Sequence, residues 1–145
     1  MRCARRLLAN VLISRRFDFS SSHRYYRDEW SEEENLRAFG LCALPNGHGH
    51  NYVLEVAVKG TPDPNTGMVI NLVNLQTAVE SVLEQFDHKH LNLDTPYFIG
   101  KIPTTENLAT VLWELIGAAL MEASLDRLRL YETDDLFVEY FGESI

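Results

Sequence analysis

The segment that decides the predicted fold reads His48-Gly-His-Asn-Tyr-Val-Leu-Glu-Val-Ala-Val58. Side chains of a β-strand alternate between its two faces, so residues of equal parity share a face. The even positions of this segment carry two histidines, a tyrosine and three aliphatic side chains. The pattern predicts a strand that buries one face in a hydrophobic core and places two imidazoles at its beginning.

A second strand is predicted upstream, from Arg15 to His23, because its apolar residues also alternate. Phe17 and Phe19 share one face, and Ser21 and His23 fall on that same face if the strand continues. The polar, acidic residues 24–41 predict a long loop with a short helix near residues 31–39. Ser31 and Glu34 have the spacing of a capping box at the start of that helix.

The rest of the chain changes periodicity twice. Residues 59–67 are rich in turn formers and residues 68–70 resume an extended pattern, which predicts a hairpin-like reversal. From Asn71, a plausible N-cap, one apolar stripe has helical spacing and consists of Leu72, Leu75, Val79, Val82, Leu83 and Phe86.

A second helix is predicted over residues 104–123, and two strands over residues 127–132 and 136–141. The element order β, β, β, α, α, β, β indicates an α+β fold. We therefore expect one domain over residues 1–145, with an antiparallel sheet and two helices packed on one face.

Composition narrows the classes of function. The chain has 145 residues and a formal net charge of −8, which argues against non-specific binding of nucleic acid. No apolar run approaches the roughly 18–20 residues of a membrane span. Arginines precede an apolar run in residues 1–16, but no small-residue cleavage pattern follows, so we expect no targeting segment. Two lone cysteines, Cys3 and Cys42, suit a reducing cytoplasm.

Three histidines form the predicted metal site. On a strand, His48 and His50 project to one side, and Gly49 leaves the opposite side unobstructed. His23 ends the neighbouring strand on its inward face. Three neutral histidines leave a fourth coordination position open, which is typical of catalytic zinc. The alternative is a polar turn with surface histidines.

Cys42 lies in a loop six residues before His48, so it stays near any metal bound there. It could be a fourth ligand that makes the site structural, or a base or nucleophile active as a thiolate. It could also be an inert buried cysteine. Spacing alone leaves the three roles open.

Further candidates lie in the second half of the chain. In Asp87-His88, after the first long helix, a carboxylate could orient the adjacent imidazole as a base, although adjacent Asp-His pairs are also common by chance. Glu132 ends a strand, where it either turns inward and needs a donor or lies solvated at a hairpin end. Capping chemistry is sufficient to explain the polar run at the start of the second long helix, Thr104, Thr105 and Glu106.

Six blocks in order resemble the 6-pyruvoyl-tetrahydropterin synthase family over residues 14–142, nearly the whole chain. Two lie in the first half, Phe-Ser-Ser-Ser-His-Arg at 19–24 and Phe-Gly-Leu-Cys-Ala-Leu-Pro-Asn-Gly-His-Gly-His-Asn-Tyr at 39–52. The others are Thr-Gly-Met-Val-Ile-Asn-Leu at 66–72, Asp-His-Lys-His-Leu-Asn at 87–92, Pro-Thr-Thr-Glu-Asn at 103–107 and Tyr-Glu-Thr at 131–133.

The resemblance implies a role for each candidate. The zinc (Zn2+) ligands would be His23, His48 and His50. Proton transfer would fall to Cys42, Asp87 and His88. Glu132 would anchor the pterin ring, with supporting contacts from Thr104, Thr105 and Glu106. The implied architecture is the tunnelling fold, a four-stranded antiparallel sheet with two helices, assembled as a homohexamer of two stacked trimers with active sites between subunits.

The implied reaction converts 7,8-dihydroneopterin triphosphate to 6-pyruvoyl-tetrahydropterin with loss of inorganic triphosphate, which makes the enzyme a carbon–oxygen lyase. The main alternative is 6-carboxy-tetrahydropterin synthase of the queuosine pathway, which acts on the same substrate. Five residues separate Cys42 from His48, a spacing that resembles the pyruvoyl-forming group, whereas the carboxy-forming enzymes have a shorter one. A non-catalytic zinc module, closed by Cys42 as fourth ligand, is the alternative outside enzymology.

Overall fold

The computed structural model describes residues 10–143. Cys3 and most of the arginine-containing amino-terminal segment lie outside the described residues, and so does the question of a targeting function. Within residues 10–143 no helix is long and apolar enough to cross a membrane.

The sheet has five strands, and from one edge to the other they are Lys89–His90 (β3), Val11–His23 (β1), His48–Gly60 (β2), Ser124–Thr133 (β4) and Leu136–Tyr140 (β5). Four of them, β1, β2, β4 and β5, pair antiparallel as predicted. The fifth, β3, runs parallel to β1 alongside Ser21 and Ser22. The expectation of a four-stranded antiparallel sheet is therefore wrong in this respect, because the sheet is mixed. A strand of two residues is too short to show periodicity in a sequence.

The long pair β1–β2 sets the position of the candidate site. In its register Phe17 lies opposite Leu54, Phe19 opposite Tyr52, and His23 opposite His48. The same parity that aligns these pairs puts their side chains on the buried face of the sheet. Alternation in the sequence thus predicted correctly which face of each strand is buried.

Two helices, α2 (Leu72–Leu83) and α4 (Thr105–Ala119), cover that face. Their side chains join the aliphatic residues of β2 and β4 in one hydrophobic core, which includes Leu75, Val79, Leu108, Leu112, Ile116, Leu54, Leu128 and Leu130. The prediction of two helices on one face of the sheet is confirmed.

Capping side chains fix where the helices begin. Asn71 accepts a hydrogen bond from the Val73 amide at the start of α2. Ser31 and Glu34 form a complete capping box on α1 (Glu32–Phe39). A 3₁₀ turn (Gly40–Ala43) follows α1, and a short helix α3 (Leu91–Asp94) follows β3.

Two element predictions are wrong. Residues 68–70 form no strand, because the preceding loop closes on itself: the Asp63 amide donates to the Met68 carbonyl at 2.9 Å, and the Gly67 amide to the Asp63 carbonyl at 2.7 Å. The helix predicted over residues 104–123 ends at Ala119, since Leu120 takes an extended conformation that cannot continue it.

Candidate metal centre and active site

Three imidazoles converge where β1 ends and β2 begins. The ring centroids of His23 and His48 are 4.9 Å apart, those of His23 and His50 are 5.0 Å apart, and those of His48 and His50 are 5.0 Å apart. The three rings therefore form a nearly equilateral triangle. The Nε2 atoms of His23 and His48 lie 3.3 Å apart, so two nitrogens face a common point.

Two glycines allow the strands to approach each other here. A Cβ on Gly49 would lie 2.9 Å from the Ser21 carbonyl oxygen, closer than real Cβ atoms come to such an atom. Gly47 has φ +64°, and a Cβ there would lie 2.5 Å from the carbonyl oxygen of His23. Glycine at both positions lets β2 start close enough to β1 for His23 and His48 to meet.

His23 is fully buried, and burial is the main reason that its pKa falls to about 3, with the neighbouring His50 and His48 lowering it further. It is therefore neutral at pH 7, the form in which an imidazole binds a metal. Its Nδ1 lies 2.9 Å from the hydroxyl oxygen of Tyr52. Burial raises the pKa of Tyr52, so this residue stays a neutral phenol.

Glu132 faces the histidines from β4. Tyr131 pairs with Phe137 and Thr133 with Leu136, so Glu132 is the extra residue of a β-bulge, a device that redirects a side chain. One carboxylate oxygen lies 2.9 Å from Nε2 of His50, and the other accepts a hydrogen bond from the Thr105 hydroxyl. Of the two orientations considered from the sequence, the structure has the inward one.

Cys42 lies on the 3₁₀ turn with its Sγ 3.8 Å from Nε2 of His48. Burial, and secondly the negative charge of Glu132, raise the pKa of the thiol. A cation beside it would have the opposite effect and favour the thiolate. Cys42 is thus close enough to this centre to act as a ligand or as a base.

The residues present fit a zinc ion. Two overlapping sets of donor atoms lie within 4.8 Å of one another, one formed by His23, Cys42 and His48 and the other by His23, His50 and Glu132. Within the described chain, Nε2 of His50 is buried but has no partner in hydrogen-bonding geometry, although Glu132 is close. A buried nitrogen lone pair among neutral imidazoles is what zinc coordination requires.

Asp87 and His88 lie elsewhere in the chain, beside the outer edge of β1. The Ser20 amide donates to Asp87 at 2.8 Å, and the His88 amide donates to the Ser20 carbonyl at 2.6 Å. This hydrogen bonding lowers the pKa of Asp87, whose carboxylate also lies 3.0 Å from Nδ1 of His88. Among the described residues, neither side chain has a hydrogen bond or ion pair with the three imidazoles, although His50 and His88 line the same open pocket.

The conformation of His88 is unusual. Its φ is +58°, the only positive value among the described non-glycine residues, and its side chain is 83% exposed. A strained backbone that presents an imidazole to solvent is a feature of functional segments.

The three polar residues at the start of α4 have different surroundings. Thr104 is the N-cap and accepts a hydrogen bond from the Asn107 amide at 3.1 Å. Thr105 is buried and donates to Glu132. Glu106 is exposed in the first turn of the helix. The capping interpretation therefore holds for Thr104, whereas Thr105 belongs to the cluster around Glu132.

Two tyrosines beside His23 were given no role from the sequence. The ring of Tyr25 packs 4.6 Å from that of His23, and its amide donates to the Cys42 carbonyl at 2.8 Å. Tyr25 lies in a loop without periodicity, so no pattern indicated this contact. For Tyr52 a signal existed, because strand parity put it on the same face as His48 and His50.

The chain that carries this site is similar to known proteins along most of its length. A family model described as 6-pyruvoyl tetrahydropterin synthase matches residues 12–143. The 6-pyruvoyl tetrahydrobiopterin synthase of Pongo abelii is 48% identical over 132 residues, which cover 90% of this chain and 91% of that protein. The protein of the same name from Homo sapiens is 47% identical with the same coverage.

The solved structure of 6-pyruvoyl tetrahydropterin synthase from Caenorhabditis elegans has a TM-score of 0.90 and 34% sequence identity, and the match covers 94% of this chain and 98% of that one. The family description and these relatives all name a synthase, so the prediction of an enzyme is confirmed. The resemblance found in the six sequence blocks is confirmed as well: the chain belongs to the 6-pyruvoyl tetrahydropterin synthase family.

Proposed function

We propose that this enzyme converts 7,8-dihydroneopterin triphosphate to 6-pyruvoyl-tetrahydropterin and releases inorganic triphosphate, as a carbon–oxygen lyase acting on a phosphate ester. Membership of the family supports the substrate class. One observation carries the proposal to this chain: the ring centroids of three imidazoles lie within 5.0 Å of one another, with a thiol beside His48 and a partly buried carboxylate beside His50.

In this proposal His23, His48 and His50 hold a zinc ion and leave one coordination position for substrate. A zinc ion held there would supply Lewis acidity, which would polarise hydroxyl groups of the substrate side chain and acidify the neighbouring carbon–hydrogen bond. Burial lowers the pKa values of His23 and His50, so these two imidazoles bring no charge that would repel the ion or offset its charge. The loaded site would therefore keep a positive field around bound substrate.

Cys42 is the proposed base. Its thiolate would take a proton from the substrate side chain and return one to a different carbon during elimination and tautomerisation. Its Sγ lies 3.8 Å from Nε2 of His48, within reach of a substrate held at the three histidines. The pKa of the thiol is raised in the metal-free site, and the positive field of the loaded site is what would make it a thiolate at pH 7.

Glu132 is the proposed anchor of the pterin ring. It has few exposed atoms, and a poorly hydrated carboxylate gains most from paired donors such as an exocyclic amine with an adjacent ring N–H. The hydroxyl of Thr105 holds one of its oxygens and thereby fixes the plane of the carboxylate. Supporting contacts from Thr104 and Glu106, at the same end of α4, belong to the proposal.

Asp87 and His88 complete the proposed proton-transfer machinery, but in a neighbouring subunit. Within one chain their hydrogen bonds run to Ser20 and to each other, and the exposed imidazole of His88 would be available to a substrate bound by the next chain. This division fits the proposed homohexamer of two stacked trimers with active sites between subunits. A cytoplasmic location is part of the same proposal, because a catalytic thiol needs a reducing compartment.

Two alternatives remain. The same centre and substrate serve 6-carboxy-5,6,7,8-tetrahydropterin synthase of queuosine biosynthesis, which releases acetaldehyde. The 3.8 Å approach of Cys42 to His48 specifically favours the second alternative, a structural zinc site in which Cys42 closes the coordination shell.

Product identification separates these functions. We expect the zinc-loaded protein to convert 7,8-dihydroneopterin triphosphate to 6-pyruvoyl-tetrahydropterin and triphosphate, detected by anaerobic chromatography with mass spectrometry. A 6-carboxy product with acetaldehyde would establish the queuosine alternative instead, and absence of any pterin turnover would contradict an enzymatic role on this substrate.

The matched variant Cys42→Ala distinguishes a base from a ligand. We expect it to keep its zinc and to lose roughly 10²–10⁴-fold in kcat, the usual contribution of a general base. Loss of zinc together with turnover would support the structural site.

A further inference from the structure

One buried hydrogen bond lies behind the proposed metal centre. It joins the hydroxyl oxygen of Tyr52 to Nδ1 of His23 over 2.9 Å, and both side chains have no exposed surface. The tyrosine ring is itself fixed, because it stacks on Phe19 with centroids 5.1 Å apart and planes 11° from parallel. Two adjacent strands hold this contact, since Phe19 and Tyr52 are direct partners across β1 and β2.

The two nitrogens of His23 face different surroundings. Nε2 lies 3.3 Å from Nε2 of His48 and so faces the cluster of imidazoles, whereas Nδ1 faces Tyr52. A neutral imidazole carries one hydrogen, and the nitrogen that binds a metal must be the one without it. Coordination through Nε2 therefore requires the hydrogen to stay on Nδ1, where it needs an acceptor in the protein interior.

We propose that Tyr52 is a positioning residue that accepts a hydrogen bond from Nδ1–H of His23 and so holds this ligand in the tautomer and ring orientation needed for zinc. The proposal rests on zinc binding by the three histidines as stated under the proposed function. Tyr52 does not touch substrate or metal in this arrangement, and its effect passes entirely through His23.

Without the tyrosine oxygen, a competing arrangement becomes available. The hydrogen can move to Nε2 of His23, which then donates to Nε2 of His48 across the 3.3 Å gap between them. Neither nitrogen then has a lone pair available for zinc, because Nε2 of His23 carries the hydrogen and Nε2 of His48 accepts it. Zinc would have to break this hydrogen bond, so its affinity falls even though every ligand is present. Loss of such a supporting partner commonly weakens metal binding about 10–100-fold.

The test is the zinc affinity of Tyr52→Phe, which removes only the hydroxyl and keeps the stacked ring. Purified wild-type and variant proteins are stripped of metal and titrated with zinc in competition with a chromogenic chelator. We expect the variant to bind zinc about 10–100-fold more weakly. Circular dichroism and urea unfolding of the metal-free proteins establish that the variant is folded.

Two control variants separate hydroxyl chemistry from packing. Tyr97→Phe also removes a hydrogen-bonded phenol, in this case one that donates to Gln85 away from the centre, and should leave zinc affinity unchanged. Phe19→Leu loosens the stacking on Tyr52 but keeps the hydroxyl, so it should lower stability with little effect on zinc affinity.

The outcomes are distinguishable. Equal zinc affinity of Tyr52→Phe and wild type overturns the role of Tyr52 and leaves the proposed function intact, and so does equal weakening by Tyr52→Phe and Phe19→Leu. Failure of the wild type to bind zinc overturns the proposed function itself.

A measurement on the wild type needs no substitution and covers the case in which Tyr52→Phe does not fold. Long-range ¹⁵N–¹H NMR of ¹⁵N-histidine in the metal-free protein should find the hydrogen of His23 on Nδ1. A hydrogen on Nε2 overturns the inference.

Discussion

At the scale of single residues, environment rather than residue type separates the histidines of this chain. His23 is fully buried and its pKa falls to about 3, so its imidazole is neutral at pH 7, as the proposed ligand role requires. His88 is mostly exposed, beside a carboxylate and on a strained backbone, which agrees with its proposed role in proton transfer to a substrate bound by another chain. The proposed function thus uses the same type of side chain for metal binding in one environment and for acid–base chemistry in another.

Gly47 allows β1 and β2 to approach each other closely at the candidate metal centre, and its substitution tests this role. Both Gly47 and Gly100 have positive φ, but a Cβ on Gly100 meets open space, whereas one on Gly47 collides with the His23 carbonyl. We expect Gly100→Ala to lower the unfolding free energy by about 1–2 kcal/mol through the left-handed backbone alone. Gly47→Ala should cost about 1–3 kcal/mol more, because the strands must separate.

Urea unfolding of the two metal-free variants beside wild type measures this difference. Equal losses of stability in Gly47→Ala and Gly100→Ala would mean that the close approach of β1 and β2 does not depend on the glycine.

At the scale of elements, the sequence predicted the parts that periodicity and capping determine. Strand parity identified the buried faces of β1 and β2, and the Asn71 and Ser31 caps marked the starts of α2 and α1. The strand β3 could not be predicted, because its two residues pair only after the chain returns to the edge of β1. The strand predicted at residues 68–70 is absent because the hydrogen-bonded turn around Asp63 outweighs the extended propensity of these residues.

Some features of the candidate site also follow from local sequence patterns, whereas others depend on how distant segments pair. The shared face of His48 and His50 follows from local parity, so the sequence alone indicated it. The inward turn of Glu132 depends on a bulge in the pairing of β4 with β5, which no local pattern reveals. Tyr52 lay on the correct face, but its bond to His23 exists only because β1 and β2 pair in one particular register.

At the scale of the whole molecule, the proposed catalytic groups of one chain form two hydrogen-bonded clusters. Cys42 lies beside His48, whereas Asp87 and His88 bond to the backbone of Ser20 at the edge of β1. If each active site lies between two subunits, one chain supplies Cys42 and the imidazoles, and the neighbouring chain supplies Asp87 and His88. Turnover then requires both contributions, which can come from different chains.

Mixing of inactive variants tests this division. Co-expression of Cys42→Ala and His88→Ala chains should give mixed oligomers in which about a quarter of the sites receive both wild-type residues by random assembly. We expect a corresponding fraction of wild-type turnover, whereas each variant alone is nearly inactive. Mixed oligomers with no recovered turnover would place all of these groups in one chain's own site.

The dependence of turnover on zinc tests most directly the claim that His23, His48 and His50 hold the metal on which the reaction depends. Protein stripped by a chelator is titrated with zinc while formation of 6-pyruvoyl-tetrahydropterin is followed. We predict no turnover without metal and full recovery at one zinc per chain. The variant His48→Ala should remain inactive both without zinc and at one zinc per chain. Full turnover by the metal-free protein would contradict the claim.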